Sequence, residues 1–376
     1  MDWRQHAHRL ADQVTHPGSR WREAVAKTPR HLLVPAWWRP GADGWTACRG
    51  SSDEENWLRH TYADQTLVTR IGKLHADDAA EGQTASGRPT SSSTLPGLVL
   101  NMFRHARIGT GDRVLDVGTG SGYGTALLCR LLGDDRVTTI DVERRLVEVA
   151  AERLAELGHR PGMVNADATT PLPGEYDRIV ATVAVRPIPA AWLAALPTGG
   201  RFATTITDTS LIVTGVKTPD GGATGVVERD WAMFMTTRTG TDYPPRLAAQ
   251  VAAARVAEGD NVTTARFPIL NLLDAWEIRS MLEVNVPGIE HVHTEEDGVR
   301  TALMVHDDGS WARAESAGGQ PATVHQGGPR RLWEELDRVR DHWLQHGALP
   351  LYGAEVTVSP DGTIHLRRGR WSASIG

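Results

Sequence analysis

Between residues 113 and 237 short apolar runs alternate with longer stretches in which apolar residues return every three or four positions. Runs of that kind read as strands buried on both faces, and the longer stretches as helices that cover them. The predicted strands are 114–117, 136–140, 177–182, 201–206 and 211–216. The predicted helices are 125–132, 143–157 and 190–196. Gly158 stands where a helix ends, and Pro197 stops the last one. Strands alternating with helices predict a parallel or mostly parallel sheet covered on both faces, the doubly wound α/β class.

The pattern differs on either side. Residues 1 to about 60 read as mainly helical and carry Trp37, Trp38, Trp45 and Trp57, which are assigned to packing rather than to the wall of a peptide cleft. Residues 77–93 are rich in Ala, Gly, Ser and Thr, include Pro89, and read as a loop. Residues 238–248 contain Gly240, Pro244 and Pro245 and read as a linker. Beyond it, Asp308-Gly309 and Asp361-Gly362 mark hairpins. A helix over 331–346 places Leu332, Trp333, Leu336, Val339 and Trp343 on one face, read as a core face. This C-terminal part reads as a small α+β domain.

Composition narrows the function. The chain has 376 residues, enough for two or three domains, and an apolar content that supports a sizeable core. A net charge of −6 argues against a nucleic-acid partner. Cys48 and Cys129, far apart, make neither a disulfide framework nor a zinc site. No signal peptide opens the chain and no run of about 18 apolar residues occurs, so a cytoplasmic protein with no membrane partner is expected. The histidines form no H-E-x-x-H pattern, and no metal is expected.

The strongest motif is Asp116-Val117-Gly118-Thr119-Gly120-Ser121-Gly122-Tyr123, placed after a strand and before a helix. Glycines there let the chain turn sharply and let a ligand touch the backbone. Asp141 ends the next strand, where a carboxylate can accept two ribose hydroxyls. Asn165-Ala166-Asp167-Ala168 follows a further strand of the core, ahead of 177–182, in reach of an adenine amino group. A Walker lysine is absent, which disfavours a P-loop. The residues alone leave a dinucleotide open, although the third glycine of its fingerprint is missing.

Several segments together carry a family resemblance: VLDVGTGSGY at 114–123, DRIVATVAVRPIP at 177–189, GGRFATTI at 199–206, RHLLVPAWW at 30–38 and YADQTL at 62–67. They are similar to the cofactor motif, the fourth- and fifth-strand segments, the N-terminal helix-exit motif and the Tyr-x-Asp element of the protein-L-isoaspartate O-methyltransferases. The resemblance spans roughly residues 20–237. It implies a Rossmann-like class I methyltransferase core with S-adenosylmethionine as cofactor. The cofactor would be held by Asp116, Gly118, Thr119, Gly120, Ser121, Gly122, Asp141, Val142, Asp167 and Ala168. The division that follows is 1–95 as an N-terminal helical cap with a substrate loop, 96–240 as the cofactor-binding core, and 246–376 as a C-terminal α+β domain expected to bind peptide.

The implied reaction is methyl transfer to a carboxylate oxygen. A side-chain carboxyl is already ionised at neutral pH and needs no general base, so alignment and exclusion of water are what the protein must supply. PTSSSTLP at 89–96 stands where the family carries Thr-Ile-Ser-x-Pro, with a serine near the reacting methyl. Aligned on Pro96 without a gap, that serine falls on Thr94; slipped by one residue, it falls on Ser93. Both are candidate catalytic residues, with Ser92 and Arg186 as candidate substrate contacts. The competing readings are a Ser/Thr helix cap and a solvated surface arginine.

PTSSSTLP, DRIVATVAVRPIP, DGSWA at 308–312 and GGPRRLW at 327–333 look like the actinobacterial homologues paired with ATP-grasp peptide maturases. That resemblance implies a modified precursor peptide as partner, a ribosomally made cyclised graspetide. One aspartate would be esterified, and the following backbone nitrogen would close an aspartimide. The alternatives are isoaspartyl protein repair and a lanthipeptide-directed homologue. A binding subunit without turnover is disfavoured by the intact cofactor motif.

Overall fold

The protein, a computed structural model, is described over residues 2–41, 44–238, 243, 247–318 and 320–376. Gly240, Pro244 and Pro245, on which the expected linker rests, lie outside the described residues.

The apolar runs form the centre of a ten-stranded sheet. Its strands in chain order are β1 (Val114–Val117), β2 (Val137–Asp141), β3 (Gly162–Asn165), β4 (Arg178–Val185), β5 (Arg201–Ile206), β6 (Leu211–Lys217), β7 (Ala223–Trp231), β8 (Glu355–Val358), β9 (Ile364–Arg368) and β10 (Trp371–Ile375). In space they run β10-β9-β8-β7-β6-β5-β4-β1-β2-β3. The five from β5 to β3 are parallel, and the rest pair antiparallel. All residues of β1 and β5 are buried, as strands covered on both faces require. The chain order reverses between β1 and β4. That reversal opens a crevice at the carboxyl ends of the strands, where ligands of doubly wound sheets bind.

The N-terminal part is not the helical cap expected. Helices Trp3–Val14, Trp21–Lys27, Arg30–Leu33 and Glu54–Thr61 are joined by a six-stranded antiparallel sheet. The tryptophan-rich stretch builds it: Ala36–Gly41 pairs with Gly44–Arg49, with Trp37 opposite Cys48 and Trp38 opposite Ala47. Aromatic residues fit a pleated surface, and both tryptophans are buried, so their packing role holds while the element changes. The expected loop at 77–93 also contains a strand, Pro89–Ser93, paired with Leu67–Ile71. Pro89 is tolerated because it is the first residue of the strand, and Ser and Thr carry no apolar signal that would have announced it.

The C-terminal part holds a five-stranded antiparallel sheet and, after it, the helix Leu332–Gln345. Asp308-Gly309 turns Val299–Val305 into Trp311–Ala317, as its sequence predicts. Leu332, Trp333, Leu336 and Val339 are buried on the helix. The expected boundary at 246 does not separate the sheets, however. The final strands β8, β9 and β10 extend the core sheet, with Ala223 to Val226 of β7 paired to Val358 to Glu355 of β8. One apolar core accordingly joins Trp192 and Phe202 to Met281, Trp333 and Leu366.

Candidate functional site

A cavity of about 850 Å³ lies at the carboxyl ends of β1, β2 and β4. Six of the ten expected cofactor residues line it: Gly118, Gly120, Asp141, Val142, Asp167 and Ala168. Gly120 has φ +50°, and a Cβ there would stand 3.1 Å from the Ser92 carbonyl oxygen, so glycine suits both the turn and its close approach to the Pro89–Ser93 strand. The half-buried Asp141 carboxylate accepts the N–H of Gly120 at 3.2 Å and of Glu143 at 3.0 Å. Burial raises its pKa, and those two backbone N–H groups oppose the shift. Ile140, Val142, Leu146 and Ala168 give this end of the cavity apolar walls.

The other four lie beneath the loop. Asp116 is buried and accepts from Thr125 Oγ1 at 2.7 Å and Thr139 Oγ1 at 3.3 Å. Burial pushes its pKa up to about 7. Thr119 Oγ1 meets Thr139 Oγ1 at 2.8 Å, and Ser121 is buried away from the cavity. Gly122 faces the helix Arg144–Glu156, where a Cβ would lie 3.3 Å from that of Ala150. These residues shape the turn from below; in a strand–turn–helix unit the same motif serves the ligand and the packing.

The Ser/Thr run also divides. Ser92 and Thr94 line the cavity, and Ser93 does not. Ser93 pairs with Leu67 and is buried, its Oγ accepting from Arg30 Nη2 at 3.3 Å. Its place as a catalytic candidate passes to Thr94, the ungapped alternative. The cap reading fails as well. In the helix Pro96–His105, Asp64 Oδ1 accepts the Gly97 N–H at 2.7 Å, and Thr66 Oγ1 accepts the Leu95 N–H at 3.2 Å. Arg186 is half-buried outside the cavity, with Nη2 donating to the Val284 carbonyl at 2.9 Å. It docks the helix Trp276–Asn285 on the core and is neither a substrate contact here nor a solvated side chain.

Three contributions escape the sequence reading. Asp64 and Thr66 line the cavity. YADQTL signals them, yet only as a resemblance. The end of β7 and the segment after it form a second wall, with Met233 and Trp231 exposed and Arg229 and Arg238 beside them. Tyr243 completes that wall, its ring flanked by the guanidiniums of Arg88 at 5.3 Å and Arg238 at 5.8 Å. Finally, Arg30 is wholly buried and donates to the carbonyls of Thr61, Ala63, Gln65, Ser93 and Thr94. One guanidinium thus ties together two segments that face the cavity.

Cys129, Asp134 and His159 gather donor atoms within 4.8 Å of one another, away from the residues that line the cavity. Two of these groups bond to each other and to the backbone: His159 Nδ1 meets Asp134 Oδ1 at 3.0 Å, and Asp134 Oδ2 accepts the Arg160 N–H at 2.6 Å. Both cysteines are free and buried, and among the described residues no helix is long and apolar enough to cross a membrane.

Comparison with known proteins gives a consistent result. The profile described as Protein-L-isoaspartate(D-aspartate) O-methyltransferase (PCMT) matches residues 69–236. A protein-L-isoaspartate O-methyltransferase of Ignicoccus hospitalis is 32% identical over 206 residues, covering 53% of this chain and 80% of its own. A solved protein-L-isoaspartate O-methyltransferase superposes with a TM-score of 0.48 at 17% identity, covering 99% of this chain and 98% of its own. A putative protein-L-isoaspartate O-methyltransferase from Plasmodium falciparum, solved with S-adenosyl-L-homocysteine, gives 0.41 at 13% identity, covering 64% of this chain and 100% of its own.

Proposed function

The chain belongs to the protein-L-isoaspartate O-methyltransferase family, and on that premise we propose that it esterifies an aspartate side chain of a ribosomally made, cyclised precursor peptide. The ester then closes to an aspartimide. As a member of the family the protein is an S-adenosylmethionine-dependent carboxyl O-methyltransferase.

The residues present suit that cofactor. Asp141 offers a half-buried carboxylate to the ribose hydroxyls, Ile140, Val142 and Leu146 offer apolar surface to a flat base, and Asp167 lines the same cavity. Gly120 leaves backbone exposed where a side chain would fill the space. Bound there, the cofactor supplies a methyl group already activated on a sulfonium.

The rest of the chemistry falls to this chain's own residues. The substrate carboxylate is ionised at neutral pH, so no residue needs to take a proton from it. One carboxylate oxygen forms the new bond to the methyl carbon as the carbon–sulfur bond breaks, and the charges of anion and sulfonium cancel. Thr94 and Ser92 hydroxyls, at the cavity wall, donate hydrogen bonds that orient the carboxylate. Arg30 holds the carbonyls beside them and fixes that wall. Positioning and dehydration account for such a step without an acid–base pair. Closure to aspartimide then forms a bond from the following backbone nitrogen to the ester carbonyl as the methoxy group leaves, the nitrogen's proton departing with it as methanol; a ring-constrained peptide holds that nitrogen close.

The observation that carries the tailoring reading is the chain after the family segment. The profile ends at residue 236, and the remainder builds a further five-stranded sheet and three strands of the core sheet. Sheet edges and helices outside the family segment can hold a stretch of peptide distant from the reacting aspartate. Repair of isoaspartate stays as the second reading, because the relative at 32% identity carries that enzyme's name. The test is transfer of labelled methyl to a cyclised precursor, its linear form and a generic isoaspartyl peptide, with Asp141→Ala as the cofactor-site control. Preference for the cyclised form is expected; equal rates on all three would favour repair.

A further inference from the structure

A second, smaller cavity of about 190 Å³ lies between the helices Trp276–Asn285 and Leu332–Gln345 and the turn joining β9 to β10. Met281, Trp343, Leu351 and Trp371 give it apolar walls, and Arg368 and Arg370 stand at its edge. Arg370 is exposed and has no ion pair among the described residues. Arg368 meets backbone rather than a carboxylate, donating from Nε to the Pro350 carbonyl at 2.8 Å and from Nη1 to that of Gly353 at 3.3 Å. The neighbouring carboxylate of Glu277 is engaged by the Leu351 N–H at 2.6 Å.

This cavity connects to the main cleft through one aromatic ring. Tyr352 is exposed, and its ring centroid lies 5.8 Å from the guanidinium carbon of Arg229 and 6.0 Å from that of Arg368. Arg229 lines the main cleft and Arg368 the small cavity. An arginine–tyrosine–arginine strip therefore runs from one to the other, on a chain whose net charge is −6. A guanidinium laid on a ring can still present N–H groups to carboxylates, and Arg368 has Nη2 beyond the two backbone contacts just described. An apolar recess beside them takes one large side chain, the arrangement of an interface anchor.

We infer that this small cavity is an anchor subsite for the peptide substrate. It takes one apolar side chain, while acidic residues beside that side chain lie along Arg370, Arg368 and Arg229 toward the main cleft. The inference rests on the reading of a peptide substrate given above. Under it the C-terminal chain holds a part of the peptide distant from the reacting aspartate, so that affinity comes from a sequence the chemistry does not consume.

The experiment is fluorescence anisotropy with a dye-labelled peptide carrying leucine between aspartate and glutamate residues. Two control peptides replace the acidic residues by lysine or the leucine by serine. The acidic, leucine-bearing probe is expected to bind roughly tenfold or more tightly than either control, with affinity falling as salt rises. Arg370→Glu, on an exposed turn, should abolish that preference with an unchanged melting temperature; Trp343→Ala tests the apolar recess separately. Equal binding of the acidic and lysine probes, or binding indifferent to both substitutions, would overturn the inference. So would a concentration-dependent dimer that Arg370→Glu dissociates, which would assign the surface to a second copy of the chain. Arg370-dependent binding without methyl transfer to any aspartyl or isoaspartyl peptide would uphold the anchor and remove the reaction proposed above.

Discussion

Arg30 offers the most demanding test of how the cleft is held. Its guanidinium is wholly buried, and its Nη atoms reach the carbonyls of Thr61 (2.9 Å), Ala63 (3.2 Å), Gln65 (3.1 Å), Ser93 (3.2 Å) and Thr94 (3.2 Å). Burial lowers its pKa to about 10, so the group is still charged at neutral pH. Charge-assisted hydrogen bonds contribute about 1.5–3 kcal/mol each, but the two Nη atoms share their hydrogens among these acceptors and the contributions do not add. The guanidinium also lost its hydration on folding, a cost that its removal returns. Arg30→Met keeps the apolar stem and leaves the carbonyls without their donor. The net expected loss is on the order of 2–4 kcal/mol, set by the buried carbonyls left without a donor. Arg30→Lys keeps the charge but not the fork, and should lose less, roughly 1–2 kcal/mol. Urea unfolding followed by circular dichroism measures both. Because the carbonyls belong to segments carrying Asp64, Thr66 and Thr94, turnover should fall further than cofactor affinity, which calorimetry reads separately. Arg30→Met within about 1 kcal/mol of the parent, with turnover retained, would refute the argument.

Two further outcomes follow from the same site. Thr94→Val should lower turnover with little change in melting temperature, whereas Ser93→Ala, which removes only an acceptor for Arg30, should cost about 1 kcal/mol of stability and spare turnover; the reverse pattern in kinetics would return the catalytic assignment to Ser93. Burial raises the folded pKa of Asp116 to about 7 from an ordinary value near 4, so between those values the folded chain keeps a proton that the unfolded chain releases. Stability from this group is therefore lost as pH rises from about 4 to about 7, and Asp116→Asn should flatten that decline; parallel pH profiles of the urea midpoint for the two proteins would contradict it.

The core was legible because its signals are local. Buried parallel strands are continuous apolar runs, and Gly118 to Gly122 punctuate the turn after the first of them, so observed strands such as Arg201–Ile206 coincide with the pattern. Asp361-Gly362 likewise announced a hairpin, which forms between β8 and β9. What could not be read was the sheet it joins, since pairing Val358 with Ala223 is fixed by packing across a long stretch of chain. The Pro89–Ser93 strand was hidden for a different reason. Pro, Ser and Thr have the composition of a loop, and only pairing with Leu67–Ile71 makes them a strand. Of the three successive serines and the threonine, Ser91, Ser92 and Thr94 line the cavity, and Ser93, paired with Leu67, does not. A one-residue difference in register separates Ser93, bonded to Arg30, from Thr94 at the wall. Arg186 misled because the end of a parallel strand is where ligands commonly bind; here the C-terminal helix occupies its reach.

The central claim is tested most directly by the mass of the cyclised precursor peptide during incubation with this protein and S-adenosylmethionine. The account predicts a species heavier by the replacement of one carboxyl hydrogen with methyl, then its conversion by loss of methanol to a peptide one water lighter than the starting material. Fragmentation should place both changes at a single aspartate. A peptide whose mass never changes, under conditions in which a generic isoaspartyl peptide is methylated, would contradict the tailoring reaction and leave repair in its place.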